Sequence, residues 1–193
     1  MKIGIYIYDN AEVLDFSGPY EVFTTANRVT KQDTLFDTFL IAEQEGLVTA
    51  RSGYNVLPHY GIHNHPALDV LIIVGGVHIN EMEKENVIKW ISEQNQVVPL
   101  VASVCTGAFL LAQAGVFTHH NVTTHWEDIP ALRQQFPKLN VHEKVRWIQD
   151  GNNISSGGIS AGIDMSLFIV SLLTSSNLAE ATAKQMEFRW EKN

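Results

Sequence analysis

Cys105 is the only cysteine in the 193-residue chain. It stands where an apolar run, Val98-Pro99-Leu100-Val101-Ala102-Ser103-Val104, gives way to Thr106-Gly107-Ala108-Phe109-Leu110-Leu111-Ala112. The first run reads as a buried strand and the second as a helix, which puts the thiol on the sharp bend between them. A side chain on such a nucleophile elbow projects from the top of a sheet, and the free N–H groups of the next helical turn point at it. The helix dipole then stabilises a thiolate, the nucleophilic form of the side chain. Burial of an isolated cysteine in the core is the alternative reading.

Two further segments reach the same place in an open parallel sheet, where ligands bind at the carboxyl ends of the strands. Asp15 follows the first apolar run, within Val13-Leu14-Asp15-Phe16-Ser17-Gly18-Pro19. Apolar surroundings disfavour an ionised carboxylate, so the group can give up a proton near neutral pH. Capping of a helix entered at Pro19 is the other reading of Asp15. Gly75-Gly76-Val77 follows the run Val70–Val74. Unshielded amides at Gly75 and Gly76 can approach a developing anion as half of an oxyanion hole, or can simply turn the chain. The N–H groups of Cys105 and Thr106 would supply the other half. The Thr106 hydroxyl either bonds thiolate, substrate or water, or caps its own helix.

A cysteine hydrolase normally also needs a base beside the thiol, usually histidine. Position 106 is threonine, so a dyad of neighbouring residues is absent, which argues against a protease. His125, in Thr123-Thr124-His125-Trp126, either reaches the pocket from another loop or packs structurally beside Trp126. His59, His63 and His65 share one segment, and His119 precedes His120. No thiolate or carboxylate joins them at ligand spacing, so surface histidines are expected rather than a metal site. Walker, dinucleotide and zinc-protease patterns are absent from the sequence.

The elements that position these groups follow from periodicity. Strands are expected at Ile3–Tyr8, Phe36–Ala42, Val70–Val74 and Val98–Val104, with later candidates near Val122–Thr124, Lys144–Gln149 and Ile154–Ser156. Helices are expected at Gly18–Arg28, Ile79–Gln94, Thr106–Ala114, Ile129–Phe136, Ala161–Leu173 and Leu178–Trp190. This alternation argues for an α/β chain with parallel strands covered by helices on both faces. Pro19 suits a first helical turn, Gly115 a left-handed cap, and Asn177 with Glu180 a capping pair. Arg51–Pro66, with its glycines and prolines, reads as a hairpin or an irregular excursion.

Composition limits the partners. With 193 residues, 45% of them hydrophobic and 18% charged, the chain can bury one core, and a single domain over residues 1–193 is expected. A formal charge of −8 repels a phosphate backbone, so no nucleic-acid partner is expected. The sequence has no membrane-length apolar run and no signal-peptide pattern, and its lone cysteine fits a reducing compartment. No membrane partner and a cytoplasmic location are therefore expected.

Taken in order, Leu14-Asp15-Phe16-Ser17-Gly18-Pro19, Val74-Gly75-Gly76, Ser103-Val104-Cys105-Thr106-Gly107, Thr123-Thr124-His125-Trp126 and Ser156-Gly157-Gly158-Ile159-Ser160-Ala161-Gly162-Ile163-Asp164 resemble the ThiJ/PfpI superfamily. Within it, the chain is most similar to the isocyanide hydratase branch and to the amino-terminal sensor half of certain AraC-type regulators. The resemblance implies a flavodoxin-like three-layer sandwich of the class I glutamine amidotransferase-like kind, usually a homodimer. It also implies that Cys105 is the nucleophile, that Asp15 is its acidic partner, and that a small-molecule substrate is handled without metal or organic cofactor. In such hydratases the thiolate attacks the terminal carbon of an isocyanide and a carboxyl group helps transfer protons. Water then releases an N-substituted formamide. A ligand- or redox-sensing protein without its own DNA-binding domain, and a glyoxalase-like aldehyde-detoxifying enzyme, would use the same thiol. Val77, His78 and Ile79 carry no isocyanide-selective signature. The carboxyl end lacks the proline-rich tail of relatives, so a different dimer surface or pocket rim is expected.

Overall fold

The structure is a computed structural model and describes residues 1–30 and 35–192. Its strands are β1 (Lys2–Tyr6), β2 (Asp37–Ala42), β3 (Val48–Ala50), β4 (Tyr54–Val56), β5 (Tyr60–Gly61), β6 (Val70–Ile73), β7 (Leu100–Val104), β8 (Asn121–Val122), β9 (Asn140–Val141), β10 (Trp147–Asp150) and β11 (Asn153–Ser156). The helices are α1 (Val13–Thr30), α2 (Ile79–Met82), α3 (Glu85–Gln94), α4 (Gly107–Gln113), α5 (Ile129–Gln135), α6 (Ala161–Leu173) and α7 (Ser176–Gln185).

The main sheet has seven strands in the order β10-β11-β7-β6-β1-β2-β5. Its pairs are parallel except for the β10–β11 hairpin. From β1 the chain moves one way to β2, then returns past β1 to lay down β6, β7 and β11 on the other side. Right-handed crossovers in opposite directions send the helices to opposite faces of the sheet, making the flavodoxin-like sandwich. Helices α1, α6 and α7 pack on one another, and α2, α3 and α4 form the second group. Strands covered on both faces must be apolar throughout, and β6 (VLII) and β7 (LVASV) are buried along their whole lengths.

Several element boundaries differ from the expectations. Helix α1 begins at Val13, five residues before Gly18, so Asp15 lies in its first turn and Pro19 lies inside it. The first-turn role expected of Pro19 is thus corrected. Its missing N–H falls opposite the carbonyl of Asp15, the residue four earlier, and costs that one helical bond. The helix expected over Ile79–Gln94 is two pieces, because Lys84 takes an extended conformation (φ −80°, ψ 96°) between α2 and α3. The last helix is capped by Ser175, whose hydroxyl accepts from Leu178 N, and not by Asn177 with Glu180; it ends at Gln185, so Trp190 lies beyond it. Gly115 is left-handed (φ 72°) after α4, as expected. The excursion after β2 contains an antiparallel hairpin, β3–β4, turned through left-handed Ser52 and Gly53.

The tail is tied down by a buried carboxylate. Asp164 of α6 is fully buried and accepts from Arg146 Nε and from Glu191 N at 2.8 Å each, while its carbonyl accepts from Trp190 Nε1 at 3.2 Å. Burial pushes this carboxyl up, and its donors oppose the shift.

Candidate active site

The carboxyl ends of β1, β6, β7 and β11 meet beside the reversal in strand order, where an open α/β sheet leaves a crevice. Cys105 follows β7 in the left-handed region, at φ 55°, a conformation that L side chains resist. The strained bend is pinned on three sides. Cys105 N donates to Ser156 O and Gly157 O at 3.2 Å each, Cys105 O accepts from Thr124 Oγ1 at 2.8 Å, and Ala108 N donates to Cys105 O at 3.3 Å. Glycine at 107 lets α4 start against β6, since a Cβ there would lie 2.2 Å from Ile73 O. The thiol is buried (7% exposed) and faces the Thr106 N–H.

Asp15 is fully buried. Its Oδ2 accepts from Gly75 N at 3.1 Å and its Oδ1 from Ile159 N at 3.0 Å, so it ties the ends of β6 and β11 together and does not cap its own helix. Gly75 makes the approach to the thiol possible: a Cβ at that position would lie 2.6 Å from Thr106 N, 2.7 Å from Cys105 Cβ and 2.8 Å from Asp15 Oδ2. Burial pushes the carboxyl up to about 7, against the pull of its bonds from Gly75 and Ile159 and of its contact with Cys105.

Burial also pushes the Cys105 thiol up, and the neighbouring Asp15 charge adds to this. The expected dipole-stabilised thiolate is therefore corrected. The Thr106 N–H and hydroxyl favour the ionised sulfur, but desolvation and a like charge outweigh them. Two acids in contact then titrate as a pair, and one proton shared between them is the chemically relevant unit.

The oxyanion-hole reading is corrected as well. The N–H of Gly75 is bonded to Asp15, that of Gly76 to Thr106 Oγ1 at 2.9 Å, and that of Val77 to Asn10 O at 3.1 Å. All three amides serve the scaffold. Gly76, at φ 146°, has no room for a Cβ, which would lie 2.4 Å from Asn10 O. Thr106 makes no side-chain bond to its own helix; its hydroxyl accepts from Gly76 N and donates to Gly76 O at 3.0 Å. That pairing locks the β6 and β7 loops to each other.

A cavity of about 580 Å3 opens over the thiol, lined by Glu12, Arg51, Gly76, Val77, His78, Ile79, Cys105, Thr106, His125, Glu127, Asp128 and Ile159. Gly75 is not among its walls, which corrects the substrate-contact role expected of it. His125 reaches the cavity with Nδ1 facing Asp128 at 3.5 Å and Glu127 at 3.7 Å. A Cβ on Gly158 would lie 2.2 Å from His125 Cδ2 and 3.3 Å from Cys105 Sγ, so this glycine lets imidazole and sulfur approach one spot. Trp126 is 75% exposed and lines a second cavity, of about 690 Å3, together with His125 and Ile159. His125 and Trp126 thus share one pocket wall, but it is that of the second cavity, and of the two His125 alone also faces the cavity over the thiol. His59 and His65 are structural partners: His59 Nδ1 accepts from Leu40 N and His65 Nε2 from Trp90 Nε1, at 3.0 Å each.

Glu12, Arg51, Glu127, Asp128 and Ile159 were missed as site residues. Ile159 carried a weak signal, a β-branched residue after Gly157-Gly158 at a strand end, and it too is left-handed (φ 54°). Glu12 and Arg51, 3.5 Å apart, come from segments far apart in sequence and carry no local motif.

The DJ-1/PfpI family model matches residues 1–172. The chain is 30% identical to an isonitrile hydratase of Pseudomonas putida, over 97% of this chain and 78% of that protein. It is 26% identical to the HTH-type transcriptional regulator GbdR of Pseudomonas aeruginosa over 100% of this chain, which spans about half (52%) of the regulator. A crystal structure of a ThiJ/PfpI family protein from Pseudomonas syringae superposes with a TM-score of 0.87 at 23% identity, covering 99% of this chain and 76% of that one. By sequence match and by fold, the chain belongs to the DJ-1/PfpI family.

Proposed function

We propose that this chain is a cofactor-independent cysteine enzyme that hydrates isocyanides. The observation that carries the reading is a buried thiol paired with a buried carboxyl, beside glycine amides already bonded elsewhere. Attack on a carbonyl puts charge on oxygen and calls for free amide donors. An isocyanide, R–N≡C, has no oxygen at the attacked carbon, so the first step needs a nucleophile and a proton donor and no oxyanion hole.

In the reactive form the shared proton sits on Asp15 and the negative charge on Cys105 Sγ, steadied by the Thr106 N–H. Sulfur bonds to the terminal carbon, Asp15 protonates that carbon, and a thioimidate, R–N=CH–S–Cys105, results. Water then adds its oxygen to the same carbon, and one of its protons goes to nitrogen. The C–S bond breaks as the remaining hydroxyl proton passes to the Asp15 carboxylate. The product is R–NH–CHO, and the thiolate with its protonated partner is restored. Gly76, Val77 and His125 would shape the space for R within the cavity over the thiol. A homodimer, implied by the resemblance, is part of this reading; sedimentation of the purified chain tests it.

Purified protein incubated with alkyl and aryl isocyanides should form the matching formamides, detected by NMR, and Cys105→Ala should abolish them. Failure to turn over any isocyanide, in protein whose Cys105 is reduced and alkylatable, overturns the assignment. A second reading, ligand sensing, draws support from the full-length match to half of a transcriptional regulator. It predicts saturable binding of a small molecule without turnover.

A further inference from the structure

Tyr8, two residues beyond β1, is 3% exposed, and its hydroxyl has no hydrogen-bond partner of normal geometry among the described residues. Its neighbour in the core, Tyr6, makes the contrast. The two rings stack with centroids 6.2 Å apart, yet Tyr6 donates to Glu81 Oε1 at 2.5 Å. Glu81 is in turn held by Lys84 at 2.9 Å. A buried hydroxyl without a partner is destabilising, and phenylalanine would fill the same space without that penalty. Such a local violation at a site calls for a compensating role.

The surroundings of the hydroxyl suggest one. It lies against the side chain of Thr106, which adjoins the thiol, and within electrostatic reach of Glu81, Asp15 and Cys105. Burial first, and then the charges of Glu81 and of the Asp15–Cys105 pair, keep the phenol protonated, so it can act only as a neutral O–H dipole. Tyr8 also lines a separate cavity of about 370 Å3 with Glu81 and Lys84, none of whose walls belongs to the cavity over the thiol. Substrate therefore need not touch it.

We propose that Tyr8 is a positioning residue: its buried hydroxyl, set against Thr106 from outside the substrate cavity, steadies the single negative charge that the Cys105–Asp15 pair carries when it reacts. The proposal rests on the pairing of thiol and carboxyl in the functional reading but not on the isocyanide assignment. Its test uses thiol alkylation, so failure of either idea is seen separately.

The rate of Cys105 alkylation by iodoacetamide is measured against pH for wild type, Tyr8→Phe and Tyr6→Phe, with a melting curve for each. Tyr8→Phe should move the alkylation profile to higher pH, slowing the reaction about threefold or more at pH 6, the equivalent of half a pKa unit. The high-pH plateau should be unchanged, and the melting temperature equal or higher, because an unpaired buried hydroxyl has been removed. Tyr6→Phe should lower the melting temperature and leave the profile in place, since its hydroxyl serves Glu81. Overlapping profiles for Tyr8→Phe and wild type overturn the proposal. So does a rate that falls equally at every pH, a shift accompanied by a lower melting temperature, or an equal shift from Tyr6→Phe.

Discussion

Replacing Asp15 with asparagine tests the central electrostatic claim, because the carboxyl is fully buried and held near 7 instead of its ordinary 3.8. A group that binds its proton more tightly when folded makes the folded state bind more protons than the unfolded one across that interval. Its contribution to stability is fully present below about pH 4 and is lost as pH rises through about 7. A shift of about three units is worth about 4 kcal/mol in full, of which roughly 2–3 kcal/mol falls between pH 5 and 8. Asparagine has no such titration, but it carries only one acceptor oxygen for the two N–H donors of Gly75 and Ile159. Facing the second donor with an amide N–H costs about 1–3 kcal/mol at every pH. Urea unfolding of both proteins at pH 5 and 8 should therefore show Asp15→Asn losing ground at pH 5 and recovering roughly 2–3 kcal/mol relative to wild type at pH 8. A difference between the two proteins that is flat with pH, or that moves the other way, would refute the claim that Asp15 is a buried, proton-holding carboxyl.

Further predictions follow from single contacts. Alkylation of wild-type Cys105 should rise with pH through about 7, as the pair loses its first proton; with Asp15→Asn that step should vanish and only the thiol's own, higher titration remain. Gly75→Ala should cost about 1–3 kcal/mol in unfolding free energy and separate the carboxyl from the thiol, because the new methyl meets the Thr106 backbone nitrogen at 2.6 Å. Thr106→Val should cost about 1–3 kcal/mol by removing the acceptor of the Gly76 N–H, while Thr106→Ser should be close to neutral in the same melt. Arg146→Ala should cost about 3 kcal/mol or more at pH 7 by stranding the buried Asp164 charge, and progressively less as pH falls and the carboxyl, pushed up by burial, takes up its proton.

The sequence by itself determined the elements that carry the site. The abrupt change from Val98–Val104 to Thr106–Ala112 is a change of period that only a strand turning into a helix satisfies. The apolar runs at Val70 and Leu100 are those of strands covered on both faces. The acidic residue in an apolar stretch after the first strand was legible for the same reason: a charge surrounded by Leu14 and Phe16 stands out in one dimension. The start of α1 was misread because Pro19 signals a helix opening locally, whereas tertiary contacts hold the preceding residues in the helix as well. Glycines at 75 and 76 could be seen to matter, but not for what.

Only the tertiary structure decided how these groups behave. Whether an amide is free for substrate depends on what folds against it, and here Asp15 and Thr106 arrive from other segments to occupy Gly75 and Gly76. Whether a thiol is lowered or raised is a balance between one helix terminus and the desolvation and charge of its surroundings, and burial beside Asp15 tips it upward. The placing of His125 between two cavities, only one of which Trp126 also lines, and the unpaired hydroxyl of Tyr8 are likewise set by packing. Periodicity is written in neighbouring residues, but desolvation and hydrogen-bond pairing are sums over residues distant in the chain, so the fold was readable from the sequence and the electrostatics of the site were not.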